Sequence, residues 1–129
     1  MTTPHFFSPG KIHEPGSYSH GVAVSGRLLI VSGQVGLDAE RNVVGAGDFA
    51  AQAIQAFENL LAVLAEGGAS ARDVVRLGVI LASRDHLAKF RDIRGRYFSQ
   101  PMPASTLIIA GLVLPELLVE VEAIAQLPG

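Results

Sequence analysis

The chain has 129 residues, of which 49% are apolar and only 17% charged, and its formal net charge is −2. That length fits one domain, residues 1–129, able to bury about two thirds of its unfolded surface without help from metals or disulfides. Cysteine is absent, which excludes disulfides and thiol chemistry. Ten basic against twelve acidic residues, with no Lys/Arg run, argue against a nucleic-acid partner.

No stretch of about 18 uninterrupted apolar residues exists, so no membrane span is expected. The segment Met1-Thr2-Thr3-Pro4-His5 lacks a basic region followed by an apolar one. No secretory leader is therefore expected, and a cytoplasmic location follows by default. So much apolar surface on so small a domain predicts that some of it is covered by another subunit.

Residues 4–16 hold three prolines and two glycines and read as an irregular arm. A strand over 18–24, the turn pair Ser25-Gly26 and a strand over 27–32 read as a hairpin. Gly33-Gln34-Val35-Gly36 is expected to break or bulge the second strand, where a ligand or another chain comes close. Asp48 is a plausible N-cap for a helix over Phe49–Glu66, with Ile54, Phe57, Leu60, Leu61 and Leu64 on one stripe and Gly67-Gly68 ending it.

Val74–Leu81 reads as a third strand. Ser83 or Asp85 can cap a second helix over 86–99, which Pro101 and Pro103 prevent from continuing. Strands over 105–110 and 117–125 follow, separated by a turn region at 111–115. The order β-β-α-β-α-β-β predicts an α+β fold with two helices on one face of a mixed sheet. The other face then needs cover, which a trimer would provide.

Two places in the pattern carry possible chemistry. On the last strand Glu120 and Glu122 share a face, roughly 7 Å apart by the strand repeat. If partly buried, one of them can hold a water as general base or acid; the plainer reading is two solvated carboxylates or ion-pair partners across a subunit boundary. On the second helix Phe90, Ile93, Arg94 and Tyr97 fall on one stripe, whereas Arg91 and Arg96 lie off it and are expected in solvent. An arginine within an apolar stripe needs a partner, because a buried unpaired guanidinium is costly. The candidates are Glu120, Glu122, a backbone carbonyl or an anionic ligand, with snorkelling to water as the plainer reading. The histidines, His5, His13, His20 and His86, form no metal-ligand motif. No metal site is expected, and no phosphate-binding glycine loop or nucleophile elbow occurs.

Several segments in order carry a resemblance. They are Tyr18-Ser19-His20-Gly21, Val31-Ser32-Gly33-Gln34, Ala51-Gln52-Ala53 with Glu58-Asn59-Leu60, Tyr97-Phe98, Pro103-Ala104, and Val119-Glu120-Val121-Glu122-Ala123-Ile124-Ala125. Over nearly its whole length the chain resembles the Rid family (YjgF/YER057c/UK114). The resemblance implies a chorismate-mutase-like α+β fold assembled as a homotrimer, with three clefts between subunits. It implies hydrolysis of 2-imino or enamine acids, such as 2-aminoacrylate, to 2-oxo acids and ammonia without metal or cofactor.

Residue by residue, the tyrosine that closes the pocket matches Tyr18, the Ser-Gly-Gln glycine matches Gly33, and the water-positioning glutamate matches Glu120. The arginine that clamps the substrate carboxylate is not matched, since Pro103-Ala104-Ser105-Thr106 places Ser105 there. A hydroxyl cannot replace a bidentate charged fork. Arg94 is the candidate to supply the missing charge from the opposite wall, with Ser105 and Thr106 holding the ligand beside it. Two readings stand: a cofactor-free imine or enamine deaminase, and a non-catalytic trimer that binds a small carboxylate-bearing metabolite. The family's older labels of endoribonuclease and translation inhibitor sit poorly with the acidic balance.

Overall fold

The computed structural model describes residues 3–129; Met1 and Thr2, the start of the segment read for a leader, lie outside them. The strands are β1 (His5–Phe7), β2 (Gly21–Ala23), β3 (Leu28–Val35), β4 (Val74–Leu81), β5 (Ala104–Ile109) and β6 (Val119–Gln126); the helices are α1 (Phe49–Glu66) and α2 (Leu87–Arg94). The four long strands form one sheet in the order β3-β6-β4-β5. The pair β4–β5 is parallel and the other two pairs are antiparallel, so the sheet is mixed.

Both helices cover one face of that sheet. β6 alternates with Val119, Val121, Ala123 and Ala125 buried beneath α1, and β4 contributes Leu77, Val79 and Leu81 to the same layer. Phe57 of α1 sits at the centre, its ring 5.8 Å from Phe90 of α2, 4.9 Å from Tyr97 and 5.9 Å from Phe98. This is the α+β arrangement expected, with both helices on one side of a mixed sheet.

α1 has the expected bounds because its ends are written locally. The Asp48 carboxylate accepts from the backbone N–H of Ala51, and Gly67 then Gly68, at φ +88°, close the far end. Of the expected stripe, Phe57, Leu60 and Leu64 are buried, whereas Ile54 and Leu61 are half-buried; Gln52, Ala53 and Ala56 take the remaining core places.

α2 is shorter than expected. A 3-10 turn, Arg84–His86, capped by the Ser83 hydroxyl, leads into it, and it stops at Arg94 with Gly95 as C-cap rather than running to 99. Glycine's conformational cost ends the helix six residues before the first proline.

The expected first hairpin does not form. β2 pairs with β1 in a separate two-stranded ribbon, so a short strand lies inside the arm read as irregular. Gly26, at φ +76°, does turn the chain. Its neighbours, however, bond to the end of β6: Ser25 N–H donates to the Gln126 side-chain oxygen, and Leu127 N–H to the Arg27 carbonyl. β6 therefore takes the edge of β3 that a hairpin partner would occupy. The expected bulge is present, with Ser32 and Gly33 together standing opposite Glu122 between the pairs Val31–Ala123 and Gln34–Val121.

Candidate functional site

The N-terminal arm reaches the sheet at β5. Ser19 Oγ donates to the Met102 carbonyl at 2.6 Å, Ser19 N–H donates to the Pro103 carbonyl at 3.1 Å, and Ser19 lies beside Ala104 as an isolated parallel bridge. That seam brings Ser17 and Tyr18 alongside the start of β5. Ser105 is in register with Leu77 and Leu107 with Val79, so both point to the helix-covered side. α2 closes the space from above, and a cavity of about 250 Å³ results, lined by Ser17, Tyr18, Leu87, Arg91, Arg94, Ser105 and Leu107.

Arg94 is the buried charge of this cavity, only 6% exposed. Its Nη2 donates to Ser17 Oγ at 2.6 Å, and its guanidinium carbon lies 5.5 Å from the centre of the Phe90 ring. Neither Glu120 nor Glu122 is its partner, contrary to the first two candidates from sequence. Burial, and after it the neighbouring charge of Arg91, lowers the Arg94 pKa from its ordinary value. Guanidinium nonetheless keeps its proton in proteins. Among the described residues no carboxylate forms an ion pair with Arg91 or Arg94. Arg91 is exposed, as expected, yet it lines the cavity mouth; a residue three before Arg94 on a helix is its neighbour.

The Tyr18 hydroxyl hydrogen-bonds to His13 Nε2. His20 stands edge-on to both rings, 4.7 Å from His13 and 5.4 Å from Tyr18, and its Nε2 donates to the His13 carbonyl at 2.9 Å. Two histidines from the arm thus hold the tyrosine at the cavity wall. Nothing in their spacing signalled this, because the contacts are made by an irregular loop. Ser17 was likewise without a sequence signal. Among the described residues no group of three His, Cys, Asp or Glu side chains is placed to hold a metal ion.

Glu120 and Gly33 lie elsewhere. Glu120 is in register with Ile80 and Val35, and Ile80 with Ile108, on the sheet face that no helix covers. Gly33 is so close that a Cβ there would fall on the Glu120 carboxylate, 2.8 Å from its Cδ. Glu122 reaches over Gly78 to Arg76, 3.5 Å from Nη1. Thr106 shares that row with Gly78, so its side chain points away from Ser105 and does not join the Arg94 cavity, as strand alternation requires. The structure thus gathers Tyr18, Arg94 and Ser105 on one side of the sheet and Gly33, Glu120 and Thr106 on the other.

Fold and cavity together define an α+β protein with an arginine-bearing recess at the edge of a half-covered mixed sheet. The sequence model of the Endoribonuclease L-PSP family matches residues 11–127, and the chain belongs to that family, the Rid group. A RutC family protein of Pyrococcus abyssi is 34% identical over 85% of this chain and 86% of its own length. A protein of Dermatophagoides farinae named 2-iminobutanoate/2-iminopropanoate deaminase is 30% identical over 84% of each. Among solved structures, the Rid-family protein YyfB from Yersinia pestis superposes with a TM-score of 0.85 at 36% identity, covering 98% of this chain and 100% of that one. RidA from a Psychrobacter species gives 0.73 at 32%, covering 89% and 92%. No helix among the described residues is long and apolar enough to cross a membrane.

Proposed function

We propose that the protein is a homotrimer that binds a small carboxylate-bearing metabolite in the Arg94 cavity and hydrolyses a reactive 2-imino or enamine acid there. The observation that carries this is a buried guanidinium, unmatched by any carboxylate among the described residues, facing a recess shared with Ser105 and Tyr18. Such a charge is costly in isolation and is compensated when an anion enters. The name of the Dermatophagoides farinae relative gives the reaction class.

Glu120 and Arg94 lie on opposite faces of the sheet, so one copy does not present both to one ligand. In the proposed assembly the β5 edge of one subunit, where the recess lies, packs against the open sheet face of the next, so that Glu120 of the partner subunit completes each cavity. The open face has the apolar character that contact needs, with Ile30 66% and Ile108 49% exposed. Gly33 leaves the Glu120 carboxylate unobstructed at that boundary.

The chemistry then asks little of the protein. Arg94 holds the substrate carboxylate, the Ser105 hydroxyl lies beside it, and Tyr18 covers the site. Glu120 of the partner subunit accepts a hydrogen bond from water and takes its proton as the oxygen attacks the imine carbon. Glu120 passes that proton on to the nitrogen, and the carbinolamine collapses: its C–N bond breaks with release of ammonia while its hydroxyl gives up a proton and becomes the carbonyl of the 2-oxo acid. Imines react readily with water, so orientation is the main contribution. The test is the rate of pyruvate formation from enzymatically generated 2-aminoacrylate. Wild-type protein is expected to accelerate it and Glu120→Gln to abolish the acceleration; no acceleration by the wild type would overturn the deaminase reading.

A specific feature favours the alternative, a non-catalytic metabolite-binding trimer. Ser105 stands where the resemblance places a clamping arginine, and one nitrogen of Arg94 is already engaged by Ser17. Binding of a small carboxylate without turnover in the same assay would establish that reading.

A further inference from the structure

The Arg94 cavity holds two positive charges. Arg94 lies within it and Arg91 at its mouth, one helical turn apart on α2. Acidic residues nearby do not offset them. Asp92, between them in sequence, pairs with Arg96 at 3.2 Å, and Glu122 pairs with Arg76 on the other sheet face. The remaining lining consists of two serines, a tyrosine and two leucines, with no carboxylate among them. A single carboxylate would engage only one of the two cations.

The two cations are also held differently. Arg94 is fixed by Ser17 and the Phe90 ring, whereas Arg91 is exposed and makes no ion pair among the described residues. Helical neighbours of this kind have Cβ atoms about 5–6 Å apart. The positive charge is therefore spread over two centres, one deep and one at the rim, rather than focused on one point. At about 250 Å³ the recess lies below the roughly 300–1,000 Å³ of a drug-sized site, which suits a small metabolite.

We infer that the ligand of this cavity is a short dicarboxylate, with one carboxylate on Arg94 at depth and the second on Arg91 at the mouth. This rests on the reading that the cavity binds its ligand through Arg94. In the deaminase scheme it makes the preferred substrate the 2-imino acid of a dicarboxylic amino acid rather than of alanine or serine. Ser105 fits this role, because a small hydroxyl where a third fork would stand leaves length for a second carboxylate.

Isothermal titration of the intact protein with succinate, butyrate and inorganic phosphate near pH 7 separates the possibilities. Succinate and butyrate share four carbons and differ by one carboxylate. Succinate is expected to bind at least ten times more tightly than butyrate. Arg91→Gln, a change at an exposed position, should bring that ratio close to one, whereas Lys89→Gln, on the same helix but outside the cavity, should leave it as in the wild type. Equal affinity for the two acids would overturn the dicarboxylate inference while leaving the Arg94 site standing. Phosphate binding as tightly as succinate would also overturn it, since that requires a single focus of charge. If neither acid binds, the Arg94 reading fails and this inference with it.

Discussion

Arg94 owes its position to residues that do no chemistry. Ser17 accepts its hydrogen bond from 77 positions away, and Phe90 lies beneath the guanidinium on the same helix. Ser17→Ala should therefore release the fork, weakening carboxylate binding several-fold in a titration while lowering stability by only about 1 kcal/mol. Gln52 is the opposite case, a fully buried polar side chain whose role is structural. Its nitrogen donates to the Glu116 carbonyl at 3.0 Å and its oxygen accepts from Leu118 N–H at 2.9 Å, which fastens α1 to the entry of β6. Gln52→Leu leaves those backbone groups unpaired and should cost about 2–4 kcal/mol in denaturant unfolding. Glu120 follows directly on that strand, so Gln52 also sets where the candidate water-positioning carboxylate begins.

At the scale of elements, α1 is the part against which everything else is placed. Gly36 lies against it so closely that a Cβ would come within 2.9 Å of Gln52 Cα. Gly36→Ala should push the helix from the sheet and cost about 1–3 kcal/mol, read as a lower melting temperature. Tyr97, stacked on Phe57, joins α1 to the end of α2 by donating its hydroxyl to Glu58 at 2.9 Å. Burial, and then this hydrogen bond and the Glu58 charge, raise its pKa above the ordinary value of 10.0. A raised folded pKa means that the stabilisation is present below the unfolded value and is lost as pH climbs through the folded one. Tyr97→Phe should accordingly lose less stability than the wild type on alkaline titration above pH about 10, measured by thermal melts.

For the whole molecule, the uncovered sheet face is the decisive surface. Sedimentation should give three times the mass of the chain, and Ile30→Glu should yield monomers with unchanged far-ultraviolet circular dichroism. The same variant should lose deaminase activity if Glu120 of the partner subunit completes each site.

What the amino-acid sequence determined by itself is what short-range physics controls. The Asp48 cap and Gly67-Gly68 stop delimit α1, strand alternation places Val119, Val121, Ala123 and Ala125 on one face of β6, and an arginine in an apolar stripe marks Arg94 as unusual. Partner choice was not local. Only the fold shows that β6 rather than β2 takes the edge of β3, and that Ser19 reaches Met102 and so carries Tyr18 and Ser17 to Ser105. The same holds for the separation of Glu120 from Arg94, since a sheet face has meaning only once the helices have covered its other side. Backbone groups satisfied far along the chain, and apolar area buried between elements, decide these matters, and neither has a signature within a window of neighbouring residues.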